Sequence, residues 1–452
     1  MAIGHRVSRD NLEFHWDMTN RKSWKGKPTT NLNYNVNCLR ESKDDHGFNQ
    51  HSTDATFNSS HPGRITVTLA NSSSQTRGAF VNTGISSWQA THHGYWKWDY
   101  ELKQAVFYMN DEDGQWKAWS FGTGQTLTEW GLSAGDTFSC SWDSWTSRID
   151  KAPNCGMYMK NTSGSNGFYA GQANSQSTAK NTIPFKWQRL YAVFTVPTGM
   201  NMDSDVNWYN YGHHTGRGLI KMTNFQWELG TPSYFITDAN GQPASSRSST
   251  ESLIDVSGNN TITINSFDYQ NDGSFVFSDS TDYASVSGTL ATGCDGNVTM
   301  MGWFDQGSRN GAHQTIVCTN MAYRQGIKLM SAYHAQGGAV WVANADGTDS
   351  ILVNTGGTTL ENTGIHHIAA TRNSTTGAIK VYLDGALVNS GTGSTGNVSN
   401  TSSSNARIGL EYHSGSYGAN ATYYDTRVYS RVLSAVEISN MYKQGKGYYN
   451  SL

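Results

Sequence analysis

Apolar and polar residues alternate along much of the chain, as they do in strands with one buried and one wetted face. Arg64-Ile-Thr-Val-Thr-Leu69 and Thr137-Phe-Ser-Cys-Ser-Trp142 both show this period of two. Leu190-Tyr-Ala-Val-Phe-Thr-Val196 reads as a compact strand that stops at Pro197, which has no N–H to give a ladder. Later runs repeat the signal: Thr261–Ile264, Ser274–Phe277, Val298–Trp303, His366–Thr371 and Ala378–Leu383. Asp384-Gly385 separates two apolar runs and predicts a two-residue hairpin, because both residues tolerate the positive φ of a type I′ turn. One helix is predicted, over Ser434–Tyr442. There Ser434 and Glu437 stand three apart, the spacing of a capping box that satisfies two end donors. Many short strands with turn residues every eight to twelve positions predict an all-β chain built of sandwiches.

Length and composition divide this picture into parts. A chain of 452 residues exceeds one ordinary domain. Of its 15 tryptophans only Trp303 and Trp341 lie beyond residue 240, and the polar stretch Thr237–Thr250 reads as a connection between two domains. With 47 glycines against 7 prolines, the turns have the positive-φ residues that they need. The net charge is −3 with no Lys/Arg-rich stretch, so a basic footprint for nucleic acid is absent. No run of about 18 apolar residues occurs, and no apolar segment follows Met1-Ala-Ile-Gly-His-Arg6, so neither a membrane span nor a signal peptide is expected. The five cysteines (Cys38, Cys140, Cys155, Cys294, Cys318) are odd in number and lack a Cys-x-x-Cys pair, which argues against a disulfide framework and a zinc site and for buried thiols.

Several motifs in the second half occur in the order of one family. Leu253-Ile-Asp-Val-Ser-Gly-Asn-Asn260, Gly273–Val286, Lys380-Val-Tyr-Leu-Asp-Gly385 and Asp425-Thr-Arg-Val-Tyr-Ser-Arg-Val-Leu-Ser-Ala-Val-Glu-Ile438 resemble the concanavalin A-like, laminin-G-like jelly rolls of phage structural proteins. Asn11–Gly26 resembles the segment that in that family lies just upstream of the first of these motifs, yet about 230 residues separate the two here. The resemblance implies two jelly-roll β-sandwiches, the first inserted into an early loop of the second. Residues 1–29 would then be a strand segment of the C-terminal sandwich, with Leu12, Phe14 and Trp16 in its sheet. Residues 30–240 would form the inserted jelly roll, 241–252 a linker, and 253–452 the laminin-G-like sandwich with its short helix. The competing expectation is a separate N-terminal arm. The insert resembles galactose-binding-like, carbohydrate-binding-module-like jelly rolls of phage tail fibres, through Pro28–Leu32, Trp187–Val196 and Asn224–Thr237. These resemblances imply a non-catalytic protein of the virion surface (a fibre, whisker or decoration), assembled in the host cytoplasm. Its expected partners are other virion proteins, copies of itself as a homo-oligomer, and a host glycan. A purely structural adaptor is the alternative, with a glycan hydrolase behind it.

The candidate chemistry favours binding. A glycosidase needs two carboxylates across the sugar; Asp111-Glu-Asp113, followed by Gly114, reads as a hairpin tip instead, and no nucleophile elbow, zinc helix or phosphate loop occurs. The pairs His92-His93, His213-His214 and His366-His367 point to opposite faces if on strands, so no ring pair suits one metal. Indole rings stack on the C–H faces of sugars. The candidate ligand-binding residues are therefore Trp88, Trp96, Trp98, Trp116, Trp119, Trp145, Trp208, Tyr209 and His213. Trp96 and Trp98, two apart, share a strand face, while Trp116 and Trp119 are expected near a turn. For a metal, Asp203 and Asp205 in one loop are candidate calcium ligands; no other cofactor is expected.

Overall fold

The computed structural model describes residues 9–18, 20, 22–30, 32, 93–99, 104–111, 117–147, 154–159, 162, 168–170, 181–203, 205–212, 218–230, 232, 234–237, 246–269, 275–278, 281–308, 313–319, 326–334, 337–343, 351–356, 360–398, 406–410 and 420–449. For 93–99, 104–111, 117–125, 154–159, 168–170, 205–212, 218–220 and 268–269 the description is of the backbone. The expected strand Arg64–Leu69 and Cys38 lie outside these residues.

The described strands open with β1 (Leu12–Asp17), β2 (Thr29–Thr30), β3 (His93–Asp99), β4 (Gln104–Asp111), β5 (Lys117–Thr126) and β6 (Thr137–Thr146). They continue with β7 (Asn154–Met159), β8 (Phe168–Ala170), β9 (Gln188–Thr195), β10 (Asp205–Gly212), β11 (Gly218–Leu229) and β12 (Ser246–Arg247). Next come β13 (Asn260–Ser266), β14 (Asp268–Tyr269), β15 (Phe275–Phe277), β16 (Tyr283–Gly288), the one-turn α1 (Thr289–Thr292), β17 (Val298–Gln306), β18 (His313–Cys318) and β19 (Gly326–Tyr333). The last are β20 (Ala339–Ala343), β21 (Ile351–Asn354), β22 (Ile365–Arg372), β23 (Ala378–Leu383), β24 (Ala386–Thr392), β25 (Ala406–Ile408), β26 (Ala421–Tyr429) and the helix α2 (Ala435–Tyr449). The chain is nearly all β, in antiparallel sheets, as the alternation predicts. It forms two compact units, one of residues Met1–Lys27 with Ser248–Leu452 and the other of Pro28–Arg247.

The first unit holds a seven-stranded sheet in the order β13-β16-β25-β18-β19-β20-β21. Its eight-stranded partner runs β14-β15-β26-β17-β22-β23-β24, with β1 also on β26. In that pairing Trp16 stands opposite Thr426 and Phe14 opposite Val428. Asp255 shows why the Asp-Val-Ser-Gly-Asn-Asn motif accompanies this strand. Its buried carboxylate accepts from the N–H groups of His15 (2.9 Å), Ser257 (3.0 Å) and Asn260 (3.0 Å), and from the Ser257 hydroxyl (2.6 Å). Asn260 Nδ2 in turn donates to Glu13 O at 2.7 Å. The motif is a polar clamp on β1, with donors that would otherwise be buried unpaired. Phe275 packs at the centre of the apolar core, 5.4 Å from Trp16, 4.7 Å from Trp24 and 5.0 Å from Phe267. The hairpin is where Asp384-Gly385 predicts it, with φ of 48° and 78° at its two central residues.

Helix α2 begins at the expected box: Glu437 N donates to Ser434 Oγ (3.2 Å) and Ser434 N to Glu437 Oε2 (2.8 Å). A hydrogen bond from Arg431 holds the Glu437 carboxyl down at about 2. The helix then runs past the expected end at Tyr442 to Tyr449. Local propensity argues against Gly445 inside a helix. A Cβ there, however, would stand 2.5 Å from Trp303, so only glycine lets the helix lie down on the sheet.

The second unit holds a five-stranded sheet in the order β3-β4-β11-β6-β9, a four-stranded sheet β5-β10-β7-β8 and a two-stranded β12-β2 pair. β9 is buried at every second position, and β6 buries Phe138, Cys140 and Trp142 on one face. Cys140, like Cys294 and Cys318 of the first unit, is a buried free thiol. Gln226 explains the closing Gln-x-Glu motif: its Oε1 accepts from Ile236 N (2.7 Å) and its Nε2 donates to Glu228 (2.5 Å) and Tyr234 O (3.2 Å), which fastens 234–236 over the sheet. Residues 112–114 of the expected hairpin tip lie outside the described residues; on either side of them β4 pairs with β3 and β11, and β5 pairs with β10. Trp119 is the third residue of β5, opposite Asn210 of β10.

Candidate functional site

The second unit exposes an aromatic corner at one end of its five-stranded sheet. Lys221 of β11 stands opposite Trp145 of β6, so the two side chains share the face away from Trp142. Lys221 Nζ lies 4.8 Å over the Trp145 ring, within cation–π range. Phe185 meets the same indole edge-on, with centroids 5.8 Å apart. In the backbone register, Tyr108 of β4 is opposite Lys221, and Tyr95 of β3 is opposite Tyr108.

The loop before β9 is built to present Phe185. Its buried Asn181 accepts from Ser144 Oγ (2.7 Å) and donates to Ser144 O (2.9 Å). Gln188 Oε1 accepts from Thr182 N (2.9 Å) and Ile183 N (3.0 Å), and Phe185 N donates to Thr146 O (2.8 Å). Ile183 is 45% and Phe185 69% exposed. Phe185 also has φ of 57°, a left-handed conformation that costs an ordinary residue about 1–2 kcal/mol. Neither strain nor an exposed ring helps folding; strained backbone of this sort gathers where a side chain must be presented.

Beside the corner, the polar groups of the face are mutually committed. Asp143 accepts from Arg189 Nη1 (3.4 Å) and from Asn224 Nδ2 (2.6 Å). Arg189 also donates to Asn224 O (2.5 Å) and Ser141 Oγ (2.8 Å), and Phe235 covers its guanidinium at 5.0 Å. The register shift in β11 between Thr223 and Gln226, with Asn224 at a φ of 52°, turns that amide toward Asp143. Glu228 is fully buried.

Of the residues expected from sequence, Trp145 alone is brought into this corner with a described side chain. Trp88, Trp116 and His213 lie outside the described residues. Trp96 and Trp98 are on β3 as expected; Trp96 stands in register with Phe107, itself opposite the buried Met222. Trp119, Trp208 and Tyr209 lie on the β5–β10 ladder of the other sheet, with Trp208 opposite Phe121 and Tyr209 opposite Ser120. Sequence reasoning passed over Phe185 and Lys221. The available sign for the first was Ile183-Pro-Phe185, two apolar residues flanking a proline in a polar stretch; for the second there was none, since β6 and β11 lie 76 residues apart at this pair.

Asp203 is exposed and accepts from Thr128 Oγ1 (2.7 Å), while Asp205 opens β10. A cavity of about 520 Å³ beside them is lined by Thr128, Leu132, Pro197, Met200 and Met202, with no titratable side chain among the described residues of its wall. Among the described residues, the group that brings three metal-ligating side chains together is His15, Asp17 and Asp425 in the first unit. It does not suit calcium, which takes six to eight oxygens. Arg427 already pairs with Asp425, Tyr449 OH donates to it at 3.2 Å, and His15 Nε2 is 3.5 Å away. Burial, the largest single influence, opposes charge on Asp425, but Arg427 and His15 together outweigh it and hold the carboxyl well below its usual range. His367 lies on the same buried face, 5.0 Å from Trp303, and burial pushes it down to about 4.

Residues 277–439, under half of the chain, match the laminin-G-type family described as the concanavalin A-like lectin/glucanases superfamily. No curated protein matches the chain. Among solved structures it is similar to the binding domain of Paraclostridial Mosquitocidal Protein 1, at 16% identity and a TM-score of 0.36, over 42% of this chain and 49% of that one. It is also similar to the receptor binding domain of botulinum neurotoxin D (16%, 0.34, 44% and 51%) and to the botulinum neurotoxin serotype G binding domain (16%, 0.34, 43% and 49%). The chain thus spans about half the length of these structures.

Proposed function

We propose that this protein is a non-catalytic glycan-binding protein and that the Trp145–Phe185–Lys221 corner of the second unit is its binding surface. The observation that carries this reading is Phe185, an exposed ring kept in a strained conformation by a hydrogen-bonded loop. A ring so presented stacks on the C–H face of a pyranose, and a neighbouring ammonium donates to the hydroxyls. The lectin-type match over 277–439 agrees with a binding role. On the described part of this face both carboxylates, Asp143 and Glu228, are engaged or buried, so the acid and base that glycoside hydrolysis requires are not offered. The setting we propose is the surface of a phage particle, in a homo-oligomer held by other virion proteins; its support is the set of motif resemblances from Asn11–Gly26 to Asp425–Ile438.

The test is glycan-array binding by the full chain, compared with Phe185→Gly and Trp145→Ala. Saturable binding by the parent, reduced at least tenfold in both folded variants, is the expected result. A folded parent that binds no glycan overturns the reading. A second reading, an adaptor that docks protein, draws on Ile183, whose branched aliphatic side chain stands 45% exposed beside Phe185 and suits a protein partner better than a sugar.

A further inference from the structure

We infer that β9 is the edge by which two copies of this chain join, pairing antiparallel across a twofold axis at Val193. The case begins from the backbone and does not depend on the glycan reading. β9 closes one end of the five-stranded sheet, and its described ladder partner is β6. In that ladder Val196 N donates to Asp136 O at 2.9 Å, and Phe194, Ala192 and Leu190 continue the bonding at every second position. The N–H and C=O groups of Tyr191, Val193 and Thr195 therefore point away from β6, and among the described residues nothing pairs with them. Tyr191 is 53% and Val193 37% exposed, and Thr195 is exposed too, so this edge is open to solvent.

An open row of backbone donors and acceptors is a template for another strand, and edges that must stay single carry lysine, proline or outward charge. β3, at the other end of this sheet, has Lys97 and Asp99. The segment Leu190–Val196 has no charge and no proline, and its outward positions hold tyrosine, valine and threonine, types that pair well across strands. Arg189, the preceding charge, is committed to Asp143, Asn224 O and Ser141. The occupant is a second copy because the row is self-complementary. A twofold axis at Val193 sets Val193 opposite itself and Tyr191 opposite Thr195 of the second copy, each pair exchanging both N–H···O bonds. No like charges meet, and Pro197, which lacks an N–H, stops the ladder just past Thr195. Such an interface is isologous and closes after one addition, as a C2 dimer does. β9 begins just after Phe185, so antiparallel pairing sets the two Phe185 corners at opposite ends of the joint ladder and makes the dimer bivalent.

The experiment measures the mass of the full chain by analytical ultracentrifugation from about 1 to about 100 μM, a range that resolves dimers of micromolar affinity. A dimer is expected for the parent. Val193→Lys puts two ammonium groups face to face on the axis and should weaken the dimer about tenfold or more, with thermal unfolding showing the fold kept, because this side chain is outside the β6 ladder and the core. Val193→Cys tests the axis by a gain. Opposed Cα atoms of a hydrogen-bonded pair stand about 5.5 Å apart, within disulfide reach, so mild oxidation should cross-link this variant well beyond the parent, whose five cysteines set the background. A parent that stays monomeric to about 100 μM overturns the inference. So does a dimer that Val193→Lys leaves intact, or a Val193→Cys chain that cross-links no more than the parent. No glycan enters these measurements, so their failure leaves the glycan reading standing, and a failure on the glycan array leaves the dimer standing.

Discussion

Two clusters of similar chemistry have opposite fates in this protein. In the first unit Trp303 is 5.6 Å from Tyr442 and 4.8 Å from Tyr449, beside His367 and the Asp425–Arg427 pair, and helix α2 closes over all of them. In the second unit Trp145 has a lysine on its face and Phe185 at its edge, and Phe185 stays 69% exposed. Both combine an indole, a second aromatic ring and a cation. The first cluster is internally complete: the buried charges are paired and the rings pack on rings. In the second, a ring is left facing solvent. Residue type therefore says little about role, and what separates a core from a binding surface is whether a covering element exists and what holds the side chain where it is.

This contrast makes quantitative claims. The largest effect is expected at Asp425→Ala. Removing it leaves Arg427 buried without its partner, and stability should fall by about 3–5 kcal/mol in urea unfolding. A pH series comes next. Above about pH 6.5 His367 is neutral both folded and unfolded. As the pH drops, the unfolded chain takes up the proton first and the folded chain only near 4, so stability declines through that window by about 3 kcal/mol and then levels. His367→Gln should remove that part of the slope, whereas an unchanged slope would show that the buried imidazole is not its source.

Smaller effects follow. Gly445→Ala sets a methyl against Trp303 and should cost about 1–3 kcal/mol, while Gly447→Ala, with open space at its Cβ, should gain up to about 1 kcal/mol. If both alanines behave alike, α2 is not seated through Gly445. At the exposed cluster the expected sign reverses. Phe185→Gly should leave stability unchanged or raise it by about 1 kcal/mol, since glycine is at ease at a φ of 57°, while glycan binding is lost. A large destabilisation would mean that Phe185 is a packing residue after all, and the comparison between the clusters would fail.

Parts of this architecture were legible because they are local. The Ser434–Glu437 box and the Asp384-Gly385 hairpin each need only a few consecutive residues, and both formed where the pattern predicted them. The alternation in Leu190–Val196 likewise reports a property of that strand by itself, one buried face, whereas β6 buries Ser139 and Ser141 as well as the apolar face that Thr137–Trp142 predicts. The C-terminal half of α2 was not legible, because Gly445 and Gly447 disfavour a helix locally and the compensation comes from Trp303, far earlier in the chain.

The binding corner belongs to the same class of non-local fact. Aromatic content pointed to the region before residue 240, and it named Trp145; it could not rank Trp145 above the other indoles, because exposure is a property of the assembled sheet. What the sequence by itself determined is the all-β class and the turn and cap chemistry, since these depend on backbone geometry and short-range hydrogen bonding. Which strands became neighbours was decided by tertiary structure, and with it the pairing of Lys221 with Trp145, the committed state of Asp143 and Arg189, and the outward stance of Phe185. Ladder register and burial join residues far apart in the chain, and the free energy that selects them is summed over the whole core rather than held in any one segment.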